Sequence, residues 1–258
     1  MSATSITFDN FSIQDSTYKT ENIQYRHLAN KTIDSKPIPR RGGFVIVDTL
    51  YTQKEISING WILTDSVAAL RTAVDDLKRA LVPQEKNLDI EYGSDLIRYT
   101  ATVSAISVNE EHHNITRIPF EIKFLAMPWG TDTGSTINTK TIASSPYNNN
   151  INITGSYGPF PVLKWTVSGI PSTEISKIKF ENTTTDTYIE VSGLSLSADG
   201  NYLEIDVKNM TATEGASTNV DFDGVFPKFN TSTNSYSTTV SGSGYSLVQT
   251  IEYYPTYL

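Results

Sequence analysis

The chain has 258 residues, no cysteine and a formal net charge of −8. Its length suits two domains of ordinary size. Without cysteine it can form no disulfide, thiolate metal site or cysteine nucleophile, and a negative chain is a poor general nucleic-acid binder, which needs clustered Lys and Arg to displace counterions from phosphate. The acidic excess is uneven, with 14 basic and 16 acidic residues before Gly130 and 6 and 12 after it.

The opening segment MSATSITFDNFSIQDS has neither a basic run nor an apolar run. No stretch reaches the roughly 18 apolar residues of a membrane span, so no membrane insertion is expected. An extended arm is expected over 24–43. Lys36-Pro37-Ile38-Pro39 stiffens it, since proline fixes φ and restricts its predecessor, and Arg40-Arg41-Gly42-Gly43 follows as a permissive exit. Arg26, Arg40 and Arg41 are the candidate arm contacts, because guanidinium groups pair in fork geometry with the carboxylates of an acidic neighbour. A solvated loop is the plainer alternative.

Past the arm, Ile56, Ile58 and Ile62 flank Gly60-Trp61 with the period of two that marks a half-buried strand. Val67, Leu70, Val74, Leu77 and Leu81 then recur at three- and four-residue steps, which predicts one amphipathic helix over about 65–82. Thr64, Asp65 or Ser66 can cap its start, Lys78 and Arg79 suit its negative end, and Pro83 stops it. Strands follow at Leu88 and Ile90, at Ile97–Val103 and at Ile118–Phe124, where Glu121 and Lys123 face the other way. This half, residues 1–130, reads as a β-sandwich-like domain with one helix.

Residues 131–157, with Asn148-Asn149-Asn150, lack a sustained apolar period and read as a connector, with local pairing through Ile151 and Ile153 as the alternative. From 158 onward, alternating runs at Leu163–Val167, Ile178–Phe180, Tyr188–Val191, Leu203–Val207, Tyr236–Val240 and Leu247–Tyr253 are spaced by turn residues such as Asp199-Gly200-Asn201. That pattern predicts an all-β sandwich or jelly roll over 158–258.

Chemistry is sparse along the chain. There is no Gly-x-Ser-x-Gly elbow, phosphate-binding glycine loop or His-Glu-x-x-His helix, and the histidines are His27, His112 and His113. Glu110-Glu111-His112-His113 reads as a solvated hairpin tip before it reads as a metal site. Asp221-Phe222-Asp223-Gly224 lacks the spaced ligands of a calcium loop. Asp75-Asp76 and Glu85/Asp89/Glu91 read as solvated surface. No catalytic residue, cofactor or metal is expected. Tyr188, Tyr202, Tyr236, Tyr245, Tyr253, Tyr254 and Tyr257 among Ser, Thr and Asn suggest a sugar-stacking surface as an alternative role.

The ordered series from Gly43 through Tyr51-Thr-Gln-Lys54-Glu-Ile56-Ser-Ile58-Asn-Gly60, the helix, Leu88-Asp-Ile90, Arg98-Tyr99-Thr-Ala101-Thr-Val103 and Pro119-Phe120-Glu-Ile122-Lys-Phe124 to Pro128 resembles the N-terminal domain of the siphophage distal tail family. Leu203-Glu-Ile205-Asp206, Asp223-Gly-Val-Phe226-Pro227 and Tyr253-Tyr254-Pro255-Thr-Tyr257-Leu258 are similar to its C-terminal galectin-like sandwich, although Asn230–Asn234 stands where the family often has a glycine turn. The resemblance implies a structural virion protein made in the host bacterial cytoplasm. It would form a homo-hexameric ring at the tail tip, joining the tail-tube protein to the tail-associated hub protein and mounting receptor-binding proteins. It also implies that DNA passes the ring without specific binding. A carbohydrate-binding adhesin that recognises host glycans is the alternative.

Overall fold

In the computed structural model the described residues are 3–38, 42–109 and 116–258. The chain divides into two compact units, residues 1–133 with Leu258, and residues 134–257. Mainly β structure with one helix among the described residues agrees with the sequence reading.

The first unit runs β1 (Ser5–Phe8), β2 (Phe11–Ser12), β3 (Tyr18–Gln24), β4 (Lys31–Pro37), β5 (Phe44–Tyr51), β6 (Lys54–Leu63), α1 (Val67–Ala80), β7 (Lys86–Tyr92), β8 (Asp95–Val108), β9 (Arg117–Ala126) and β10 (Gly130–Asp132). Its main sheet has the antiparallel order β2-β1-β7-β8-β9-β6-β3, with β10 also on β8. The β1–β2 turn is two residues, Asp9 (φ 47°) and Asn10 (φ 69°), a left-handed pair that matches the twist of a tight hairpin. Period-two patterning becomes burial: Ile56, Ile58 and Ile62 of β6 face inward beside Ile118, Phe120, Ile122 and Phe124 of β9.

The helix starts where Ser66 Oγ accepts from the Ala69 amide at 3.2 Å, so Ser66 is the cap and the helix is shorter at both ends than the sequence suggests. Leu70, Ala73, Val74 and Leu77 bury against the sheet, each large side chain contributing roughly 1.5–3 kcal/mol. Tyr18 of β3 fixes it further, its hydroxyl donating to the Ala73 carbonyl at 2.9 Å.

The second unit has β11 (Thr136–Ile142), β12 (Tyr147–Ile153), β13 (Val162–Val167), β14 (Ile175–Asn182), β15 (Thr187–Leu196), β16 (Tyr202–Asp206), β17 (Thr211–Glu214), β18 (Thr218–Asn219), β19 (Phe222–Gly224), β20 (Ser232–Val240) and β21 (Leu247–Tyr253). They form one sheet of order β11-β21-β13-β16-β17-β18 and another of order β12-β20-β14-β15-β19. The sheets share one core, where Trp165 meets Phe180 with ring centroids 5.9 Å apart and Phe180 stacks on Tyr236 at 5.3 Å.

The stretch 131–157 is therefore not a connector. β11 pairs with β21 and β12 with β20, each at the edge of its sheet. An edge strand gains its ladder of backbone hydrogen bonds while burying few side chains. Here Ile142, Ile151 and Ile153 suffice, which is why no apolar period shows in the sequence.

The entry into β20 at Asn230–Thr231 is closed by buried amides. Asn182 Nδ2 donates to the Lys228 carbonyl at 2.7 Å and to Asn234 Oδ1 at 3.2 Å, and Asn234 Nδ2 donates to the Asn230 carbonyl at 2.7 Å. Asparagine side chains thus hold the chain as it enters β20.

Candidate functional site

The most unusual surface of the first unit is the ribbon of β4 and β5. It is a separate two-stranded sheet, closed at its root by Asn30 N–H to the Gln53 carbonyl (2.9 Å) and Thr52 N–H to the Asn30 carbonyl (2.9 Å), and near its tip by Ile38 N–H to the Gly43 carbonyl (3.2 Å). Nearly every residue in it is exposed. Ile33, Phe44, Val45, Ile46, Val47 and Leu50 are each more than half accessible, on a ribbon of a size that is marginal in water unless covered.

The expected arm at 24–43 is thus corrected: its second part is one strand of a hairpin, and the partner is Phe44–Tyr51. The run Phe44-Val45-Ile46-Val47 carried the strand signal, in β-branched and aromatic residues, but a continuous apolar run ordinarily marks a buried strand.

Beside the root lies a second feature. Arg26 Nε donates to Tyr25 Oη at 2.9 Å, and its guanidinium sits 5.5 Å from the Tyr25 ring and 5.1 Å from the Tyr92 ring. The two rings stack at 5.6 Å and 15°. They border a cavity of about 570 Å³ lined by Ile23, Gln24, Tyr25, Arg26, His27 and Tyr92. The Arg26 charge is held firmly: the hydrogen bond it donates to Tyr25 raises its pKa, while burial raises that of Tyr92. Nearby, the buried Lys54 has its ammonium 5.2 Å from the Tyr99 ring, and burial lowers its pKa.

The sequence candidates are dispersed rather than gathered. Arg40, Arg41 and Glu110–His113 lie outside the described residues. Asp89 is held by Arg98 through two bonds of 2.7 and 2.8 Å, Asp76 pairs with Arg79 at 3.0 Å, and Glu85 occupies a turn at φ 53°. Asp223 lies on the edge strand β19 and accepts from Tyr188 Oη at 3.4 Å. Among the described residues no three His, Asp or Glu side chains cluster in a way that could hold a metal. No described helix is long and apolar enough to cross a membrane.

The tyrosine surface proposed from sequence is corrected in part, since Tyr188 and Tyr254 are exposed and other members are not. Tyr236, Tyr245 and Tyr253 are buried in the sandwich, and Lys164 lies over Tyr202 at 3.7 Å. What the second unit does expose is a groove of about 760 Å³, with Phe160, Met210, Val225, Phe226 and Pro227 among its walls. Phe226 meets Phe222 edge-on at 5.0 Å.

No family model matches the chain, and no curated protein is similar to it. Among solved structures, the Dit (gp 19.1) protein of phage SPP1, described as a paradigm of the hub adsorption apparatus in phages infecting Gram-positive hosts, superposes with a TM-score of 0.73 at 12% identity, over 98% of this chain and 99% of that one. Chains of the phage p2 baseplate in its activated conformation, with strontium and with calcium, match at TM-score 0.46 and 10% identity, covering 96% of both chains and 98% of both chains respectively. The chain has the fold of a phage distal tail protein.

Proposed function

We propose that this chain is a structural subunit of a phage tail tip, with no catalytic centre of its own, whose first units form a hexameric ring between tail-tube and hub proteins. The second units then mount adhesion parts. The observation that carries this is the ribbon of β4 and β5, whose six largely exposed apolar side chains find cover most simply on an identical neighbour. Closed cyclic symmetry repeats one such contact without leaving an open end. A chain of net charge −8 also suits a ring through which DNA slides without sticking.

Light scattering on the chromatographed protein, together with symmetry-resolved imaging of assembled tails, tests the proposal. A closed ring of six is expected. A chain that stays monomeric alone and within tails overturns it.

The groove walled by Phe160, Met210 and Phe226 favours a second reading, that the sandwich binds host-wall glycan through aromatic stacking. A glycan array on the full chain, compared with a Phe226→Ser variant, separates the two. Binding that disappears in the variant supports the adhesin role.

A further inference from the structure

The β4–β5 ribbon carries a charge arrangement that one copy leaves unbalanced. Asp34 and Asp48 stand directly opposite each other in the register, so both carboxylates leave the same face of the ribbon at a spacing where like charges repel. Both residues are exposed. Asp48 accepts a hydrogen bond from the Thr49 amide at 2.7 Å, yet neither carboxylate has an ion pair among the described residues, although Lys36 shares that face of β4. A like-charge pair in an otherwise marginal ribbon points to a cation that comes from elsewhere.

The body of the same unit holds that cation. Arg26 is fixed by its Nε bond to Tyr25 and by the two tyrosine faces; its Nη groups make no hydrogen bond or ion pair among the described residues, and the Asp95 carboxylate acts on it only through space. No Asp or Glu lines the cavity it borders. A guanidinium held in place on aromatic rings loses little freedom when a carboxylate docks, and its fork suits a pair of acceptors. Within one copy, Arg26 and the two aspartates form no ion pair.

We infer that the Asp34–Asp48 pair of one copy docks on Arg26 of the next, against Tyr25 and Tyr92. Each copy gives an acid pair on one side and receives one on the other, the head-to-tail contact that closes into a ring. This rests on the ring reading and adds to it a specific register between copies, set by charge while the apolar ribbon supplies affinity.

Charge exchange in the full-length protein tests the pairing. Arg26→Glu alone, and Asp34→Lys with Asp48→Lys, are each expected to raise the concentration of half-assembly by at least about tenfold. Combining all three should return it close to the starting value, with circular dichroism unchanged throughout. Assembly that persists in the separate variants, or that the combination fails to restore, overturns the pairing while leaving the ring intact. A chain that never assembles overturns both.

Where a reversed variant fails to fold, crosslinking decides. The chain has no cysteine, so Arg26→Cys with Asp48→Cys introduces the only thiols. A short bis-maleimide should give a ladder of oligomers ending at the ring. Crosslinking confined to single chains, or none at all in an assembled ring, overturns the pairing.

Discussion

Replacing Tyr18 by Phe tests how the helix is held to the sheet, because the phenol does two things there. Its hydroxyl donates to the Ala73 carbonyl at 2.9 Å, and its burial, with the Asp76 and Asp15 carboxylates nearby, raises its pKa to about 12. At pH 7 the variant loses one buried hydrogen bond while Ala73 keeps its helical partner, so a loss of about 1 kcal/mol is expected. At high pH the balance shifts. The folded state holds the proton up to about 12, whereas an unfolded tyrosine releases it near about 10. The stabilisation is complete below the unfolded pKa and is lost as pH rises between those values. By pH 11 the full linkage amounts to roughly 1.4 kcal/mol, or about 1 kcal/mol once solvent screening is allowed for. The gap between native protein and variant should therefore close between pH 7 and pH 11. Urea unfolding followed at 222 nm measures it, since α1 belongs to the first unit and is the one helix among the described residues. Every other titrating group is common to both proteins and cancels in the difference. A gap of constant size across that range would refute the account of a buried, helix-bonded phenol.

Asn234→Leu removes both the donor to the Asn230 carbonyl and the acceptor for Asn182, leaving buried amide groups unpaired. A loss of about 2–4 kcal/mol is expected in the thermal unfolding of the second unit, read by Trp165 fluorescence. Gly60→Val should cost more than about 2 kcal/mol, because a Cβ there collides with the Lys19 carbonyl and crowds Phe120; urea titration of the first unit measures it. Val45→Asp with Ile46→Asp should leave the monomer's stability within about 0.5 kcal/mol, because both side chains are already exposed, while abolishing the ring in light scattering. Arg98→Ala frees Asp89 from its two-point bond at a half-exposed site and should cost about 0.5–1 kcal/mol in urea.

The parts of the fold legible in the sequence were those in which a local period coincides with burial. Leu70, Val74 and Leu77 on one helical face, and Ile118, Phe120, Ile122 and Phe124 on one strand face, report their neighbours through spacing alone. Where a strand buries little, the signal fails. Thr136–Ile142 and Tyr147–Ile153 are held by backbone pairing at sheet edges, and backbone groups are the same in every sequence. Tyrosines were misread for the opposite reason: Tyr253 and Tyr254 are adjacent and chemically alike, yet alternation buries the first and exposes the second.

By itself the sequence determined a mainly β chain with one capped amphipathic helix, a division into two units, and the lack of thiol chemistry. Tertiary structure decided that the apolar run Phe44–Val47 lies in the open, because only pairing with Lys31–Pro37 lifts it away from a core. It also decided that Arg26 meets Tyr92, which is distant in the chain, and that a register shift after Asp34 sets that residue opposite Asp48. Such juxtapositions depend on how strands slide and fold against one another, a long-range matter that no local period encodes.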